Sequence, residues 1–146
     1  MQRKPDTVVH ASLMVVIMVE PVGSVTRTEL AREALRSSDV LVAPAILLFE
    51  LINSIRNGQR AGILTKAQAQ VALTSMFDLG IQLEPPPDVS VALRISELAA
   101  AHGLTAYDAS YLELAMRTKS PLATFDSALV RAAQAEGVQL ISLNQV

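Results

Sequence analysis

Three carboxylates in this chain stand where a carboxylate is either costly or well placed for chemistry. Glu50 falls inside the apolar run Ile46-Leu-Leu-Phe-Glu-Leu-Ile52, where a helix sets an ionised group among bulky side chains and desolvation penalises it unless it has a partner. Asp108 falls in Tyr107-Asp-Ala-Ser-Tyr-Leu-Glu-Leu-Ala115, near the expected start of a helix, and Asp126 follows the short run Pro121-Leu-Ala-Thr-Phe125. Carboxylates gathered at strand or helix ends hold hard divalent cations such as Mg²⁺ or Mn²⁺, which prefer oxygen ligands. Each also has a structural reading. Asn53, Ser54 and Asn57 continue Glu50 into a polar stripe that can face solvent, and Asp108 and Asp126 suit helix starts, where free N–H groups and the dipole favour an acid. Spacing alone leaves both readings open.

Other chemistries rank low. The chain has no cysteine, so there is no thiolate nucleophile, zinc-thiolate site or disulfide framework. It has no Gly-rich phosphate loop, no Gly-x-Ser-x-Gly elbow and no His-Glu-x-x-His zinc helix. His102, just before Gly103, reads as a helix-end residue.

The elements that must position these acids follow from patterning. Short β-branched or apolar runs at Thr7 to His10, Val40 to Ala43, Gly80 to Leu83, Pro121 to Phe125 and Val138 to Leu143 predict five strands. Helical patterns fill the gaps. Thr26-Arg-Thr-Glu29 and Thr65-Lys-Ala-Gln68 have the spacing of capping boxes, Asp88 can cap a helix that closes at Gly103, and Gly137 can close the last helix. Strands alternating with helices call for right-handed crossovers and a largely parallel sheet covered on both faces, a three-layer α/β/α fold. Ligands gather beyond the carboxyl ends of such strands, which draws together His10, next to one strand end, and Asp126, next to another.

At 146 residues and 15.6 kDa the length fits one domain over residues 1–146. Hydrophobic residues make up 51%, charged residues 18%, and the mean hydropathy is +0.36; this argues against disorder and leaves apolar surface for a partner. A net charge of −2 supplies no general basic field for nucleic acid, and 3% aromatic content gives little for a base-stacking platform. Arg56, Arg60, Arg94, Arg117 and Lys119 read first as solvated surface charge and second as local contacts for phosphate. The longest apolar stretch, Val8 to Val19, is interrupted by His10 and Ser12. It is too short to span a membrane and reads as a buried strand and helix rather than a leader headed by Arg3 and Lys4. The span Ser24 to Arg36, with Leu30, Ala31, Ala34 and Leu35 on one face, reads first as a cover for the core and second as a seat for a partner's helix.

The strings Val8-Val-His-Ala-Ser12, Phe49-Glu-Leu-Ile-Asn53, Leu104-Thr-Ala-Tyr-Asp-Ala-Ser-Tyr-Leu-Glu-Leu-Ala115 and Pro121-Leu-Ala-Thr-Phe-Asp126 occur in this order. In that order they resemble PIN-domain proteins, especially VapC-like toxins, over nearly the whole chain. The resemblance implies a PIN-like fold and a site for Mg²⁺ or Mn²⁺ used to cut RNA, in a cytoplasmic protein that forms a homodimer and is neutralised by a VapB-like antitoxin. Glu50, Asp108 and Asp126 match three of the family's four acids, and Ser12, Asn53 and Thr124 match its small polar supports. The fourth acid, an aspartate after the first strand, is replaced by His10. Asp6 lies about 13 Å away along an extended strand and does not substitute for it without a register change. An imidazole in that position either ligates Mn²⁺ in preference to Mg²⁺ or removes charge from the site and impairs it. The resemblance therefore implies a weakened ribonuclease, or a PIN-fold binding protein that contacts an antitoxin or RNA without cutting.

Overall fold

A computed structural model describes residues 6–19 and 25–143 of the chain. Arg3, Lys4 and Ser24 lie outside the described residues. In order the elements are β1 (Thr7–Val9), α1 (Ala11–Met18), α2 (Val25–Arg36), β2 (Leu41–Pro44), α3 (Ile46–Arg60), α4 (Lys66–Asp78), β3 (Gln82–Glu84), α5 (Val89–His102), α6 (Ala106–Thr118), β4 (Leu122–Ala123) and α7 (Ser127–Ala135).

All strand pairs are parallel, in the order β3-β2-β1-β4. From β1 the chain steps outward to β2 and β3, then crosses back to β4 on the other side of β1. Right-handed connections therefore put α1 to α4 on one face of the sheet and α5 to α7 on the other. The packing agrees: α1 lies against α2 and α3, α3 against α4, α5 against α6, and α6 against α7. This is the expected three-layer α/β/α arrangement. Because both faces are covered, β1 and β4 are apolar, with Val8, Val9, Leu122 and Ala123 buried, whereas β3 at the edge of the sheet is largely exposed. Leu47 and Leu51 of α3 and Tyr111, Leu112 and Leu114 of α6 fill the same core cluster.

Two local expectations are corrected. Val138 to Leu143 does not form a fifth strand: only Leu140 bridges Leu122 in parallel, with the Leu122 and Ile141 N–H groups donating to Gln139 and Leu122 carbonyls. Since β4 itself spans Leu122–Ala123 alone, it offers little edge to extend. Thr26 does not cap α2, because the helix already begins at Val25 and a capping side chain must precede the first helical residue.

The strands are shifted or shorter than their runs: β2 takes in Pro44, β3 begins at Gln82 rather than Gly80, and β4 keeps two residues of Pro121 to Phe125. The starts of α4 and α5 lie where the sequence puts them. Thr65 Oγ1 accepts from the Gln68 N–H at 3.1 Å, while Gln68 Oε1 accepts from the Thr65 N–H at 2.9 Å, a complete capping box for α4. Asp88 accepts from the Val91 N–H at the start of α5, and Gly103 ends that helix with φ +63°. On α2, Ala31 and Ala34 are buried and Leu35 packs beside them, so this face covers the core. Among the described residues, no helix is long and apolar enough to cross a membrane.

Candidate functional site

The strand order turns back past β1, so the carboxyl ends of β1 and β4 flank the crevice where open α/β sheets place ligands. Chain β1 stops at Val9, and His10, with extended backbone angles of −80° and 151°, becomes the N-cap of α1. Its Nδ1 accepts from the Ser12 N–H at 3.3 Å. The same nitrogen lies 2.9 Å from Ser12 Oγ and 3.0 Å from Thr124 Oγ1. Those hydroxyls are themselves fixed, since the Phe125 N–H donates to Ser12 Oγ and the Asp126 N–H to Thr124 Oγ1. With Nδ1 used as an acceptor, the proton of the neutral ring is assigned to Nε2 by this hydrogen-bond pattern. That Nε2–H donates to Asp108 Oδ1 at 2.9 Å.

Asp108 is the third residue of α6, whose N-cap Thr105 accepts from the Asp108 N–H. Glu50 comes from α3 on the opposite face of the sheet and accepts from the Tyr111 hydroxyl at 2.7 Å. His10, Glu50 and Asp108 each offer a ligand atom within 4.8 Å of the others, and among the described residues they are the group so arranged. Asp126 stands outside that group: its Oδ1 accepts from the Leu129 N–H at 2.8 Å and caps α7. Asn53 is exposed one turn along α3 from Glu50. Asp6, at the opposite end of β1, does not join them.

Electrostatics separate the two central acids. Burial pushes the Glu50 carboxyl above its ordinary range, opposed by the Tyr111 hydrogen bond and by His10, while the nearby Asp108 charge pushes it further up. Asp108 is held below its ordinary range, chiefly by the His10 hydrogen bond. A lowered carboxylate contributes stability that is present above its unfolded value and disappears as pH falls through the folded one. In EDTA, the melting-temperature gap between the parent and Asp108→Asn is therefore expected to be widest near neutrality and to close in acid. A gap that widens on acidification would contradict the pairing.

Sequence reasoning missed Tyr111. It is fully buried, its hydroxyl meets Glu50, and its ring meets the His10 ring edge-on at a centroid distance of 4.7 Å. The available signal was its i+3 relation to Asp108, which puts both on one helix face. Arg94 and Arg117 have a task other than phosphate binding. They converge on Glu113, only 3% exposed, at 3.2 and 2.9 Å, and Arg117 also reaches Glu84 at 3.2 Å.

The donor set partly suits a divalent cation. Glu50 and Asp108 present oxygen atoms of the type that Mg²⁺ and Mn²⁺ take. His10, as hydrogen-bonded, presents an N–H rather than a lone pair and so does not act as a ligand without exchanging its tautomer and giving up the Ser12 N–H contact. Asp126 has a separable structural role: Asp126→Ala is expected to cost about 1 kcal/mol of stability through loss of the cap, whereas Asp126→Ser retains it. Urea unfolding of both variants checks this.

An all-parallel sheet whose connections reverse over β1, with two carboxylates and a histidine collected at the reversal, defines an α/β protein with a polar site at its strand ends. The chain belongs to the PIN domain family, whose sequence model matches residues 17–135; the match begins after β1 and His10. It is 28% identical over 103 residues to Ribonuclease VapC3 of Pyrobaculum aerophilum, covering 70% of this chain and 79% of the relative. Among solved structures, PAE2754 from Pyrobaculum aerophilum superposes with a TM-score of 0.65 at 21% identity, over 88% of this chain and 80% of that one. FitAcB from Neisseria gonorrhoeae gives 0.62 at 20% identity, over 94% and 97%. At these identities the structural likeness concerns the fold.

Proposed function

We propose that this chain, as one domain over residues 1–146, is a metal-dependent endoribonuclease of the VapC toxin kind whose chemistry is weakened by His10. The observation that carries the reading is the meeting of Glu50 and Asp108 with His10 at the switch point of a PIN fold. Likeness to a protein named as a ribonuclease supports the reaction class.

Glu50 and Asp108 would hold Mg²⁺ or Mn²⁺, with Asp126 as a further acidic contributor. A bound divalent cation supplies charge that offsets carboxylate–phosphate repulsion, activates water and stabilises the phosphoryl oxygens during in-line displacement. The chain's own groups set the stage for it. Tyr111 fixes the Glu50 carboxylate through its hydroxyl, and Ser12 and Thr124 fix the His10 ring, which in turn orients Asp108. Asn53 lies along the same helix as Glu50 and would border the RNA path. His10 lowers the negative charge available to a dication and uses an Asp108 oxygen for its own hydrogen bond. Both effects weaken cation binding.

The partners that follow are RNA as substrate, a VapB-like antitoxin and a second copy in a homodimer, in the cytoplasm. The alternative reading, a non-cutting PIN-fold protein that contacts antitoxin or RNA, draws on one observation: His10 Nε2–H is satisfied by Asp108, so the site is internally paired.

Cleavage of an end-labelled structured RNA with Mn²⁺, with Mg²⁺ and with EDTA tests the proposal. Metal-dependent product from the His10→Asp protein, absent when Asp108→Asn is added, supports it. No cleavage by any of the proteins moves the binding role to first place.

A further inference from the structure

A cleft of about 550 Å³ opens beside the acidic site, at the same carboxyl edge of the sheet. The helices that carry the two carboxylates also wall this cleft. Ile46 lies one turn before Glu50 on α3, and Tyr107 immediately precedes Asp108 on α6. Pro85-Pro86-Pro87, the β3–α5 connection, and Val91 of α5 also line it. The carboxylates do not line the cleft themselves; its lining comes within four residues of Glu50 along α3 and reaches the residue next to Asp108 on α6.

The lining selects for chemistry. The three prolines have fixed φ and give a stiff apolar wall. Tyr107 is 59% exposed although large and aromatic, so its ring is free to be covered. The cation in the lining, Arg117, is already matched by Glu113 at 2.9 Å and Glu84 at 3.2 Å. Asp88 in the rim accepts from the Val91 N–H. Compensated charge and neighbouring carboxylates disfavour a phosphate, whereas flat apolar walls beside an exposed aromatic suit an uncharged planar group.

We propose that this cleft receives a single nucleobase of the RNA, stacked on Tyr107 against the proline wall, next to the phosphodiester at the acidic site. The inference rests on the ribonuclease reading above and adds a base-binding position to it. Base–aromatic stacking accepts any base, so the slot positions the strand more than it reads sequence.

The test is binding of fluorescently labelled, cleavage-resistant phosphorothioate RNA in Mn²⁺, with an abasic unit moved along the strand. For the parent protein, one abasic position is expected to weaken binding about tenfold. Tyr107→Ala is expected to bind the intact strand about tenfold more weakly and to lose that position-dependent penalty, while Tyr107→Phe keeps the parent profile. RNA binding with the same abasic profile in the parent and in Tyr107→Ala, or a parent with no sensitive position, overturns the base slot alone and leaves the cleft to an apolar side chain of a partner protein. No RNA binding by the parent overturns the slot and the ribonuclease reading together.

Discussion

Replacing His10 by Asp is expected to raise metal-dependent RNA cleavage by about ten- to a hundredfold, the usual penalty for disturbing a partner in a metal site read in reverse. The substitution removes the Nε2–H that ties up Asp108 Oδ1 and adds a carboxylate at the head of α1. The fold should tolerate it. Position 10 is the N-cap of α1, with an extended backbone and a side chain that accepts from the Ser12 N–H, and Asp is among the best residues for that position. The cap is kept, but the His10–Asp108 pairing is lost and a third carboxylate joins Glu50 and Asp108, so metal-free His10→Asp is expected to melt below the parent and to recover with Mn²⁺; thermal unfolding recorded beside the cleavage rate separates folding from chemistry. A His10→Asp protein that is stable and no faster than the parent would mean that His10 is not what limits the chemistry.

The second large effect concerns Tyr111. Truncating this fully buried ring to Ala is expected to cost about 3–5 kcal/mol, the range for aromatic-to-alanine changes in a packed core. Tyr111→Phe keeps the ring and its edge contact with His10 but removes the hydroxyl donor. That change is expected to cost about 1–2 kcal/mol and to push the Glu50 carboxyl further above its ordinary range, because the hydrogen bond opposing the effect of burial is gone. Urea unfolding gives the first quantity, and carboxyl-carbon titration of labelled Glu50 gives the second. A Glu50 titration unchanged in Tyr111→Phe would contradict its role in holding that carboxylate.

The sequence made the fold class legible because its strongest signals are local. Short β-branched runs broken by Pro and Gly located β1 to β4, and the hydroxyl–glutamine spacing at Thr65 and the acid at Asp88 located two helix starts. Where it misled, the deciding physics was not local. Thr26-Arg-Thr-Glu29 has capping-box spacing, yet α2 begins one residue earlier. Val138 to Leu143 has strand composition, yet only Leu140 finds a partner on the two-residue β4. The site was legible as a set of residue types but not as a geometry. Glu50 and Asp108 come from opposite faces of the sheet, and only the reversal over β1 brings them together with His10. Tyr111 escaped notice because a tyrosine in an apolar helix reads as core, which it also is. Asp126 remained double in meaning, and its observed bond is the cap of α7.

On the proposed reading, His10 lowers the affinity of a cation site built on Glu50 and Asp108. Calorimetric titration of Mn²⁺ into the metal-free parent and into metal-free His10→Asp tests it most directly, with Asp108→Asn in the His10→Asp background as the control. Binding by His10→Asp is expected to be at least tenfold tighter than by the parent, with that gain lost in the control. Equal affinity in parent and His10→Asp, or tighter binding by the parent, would contradict it.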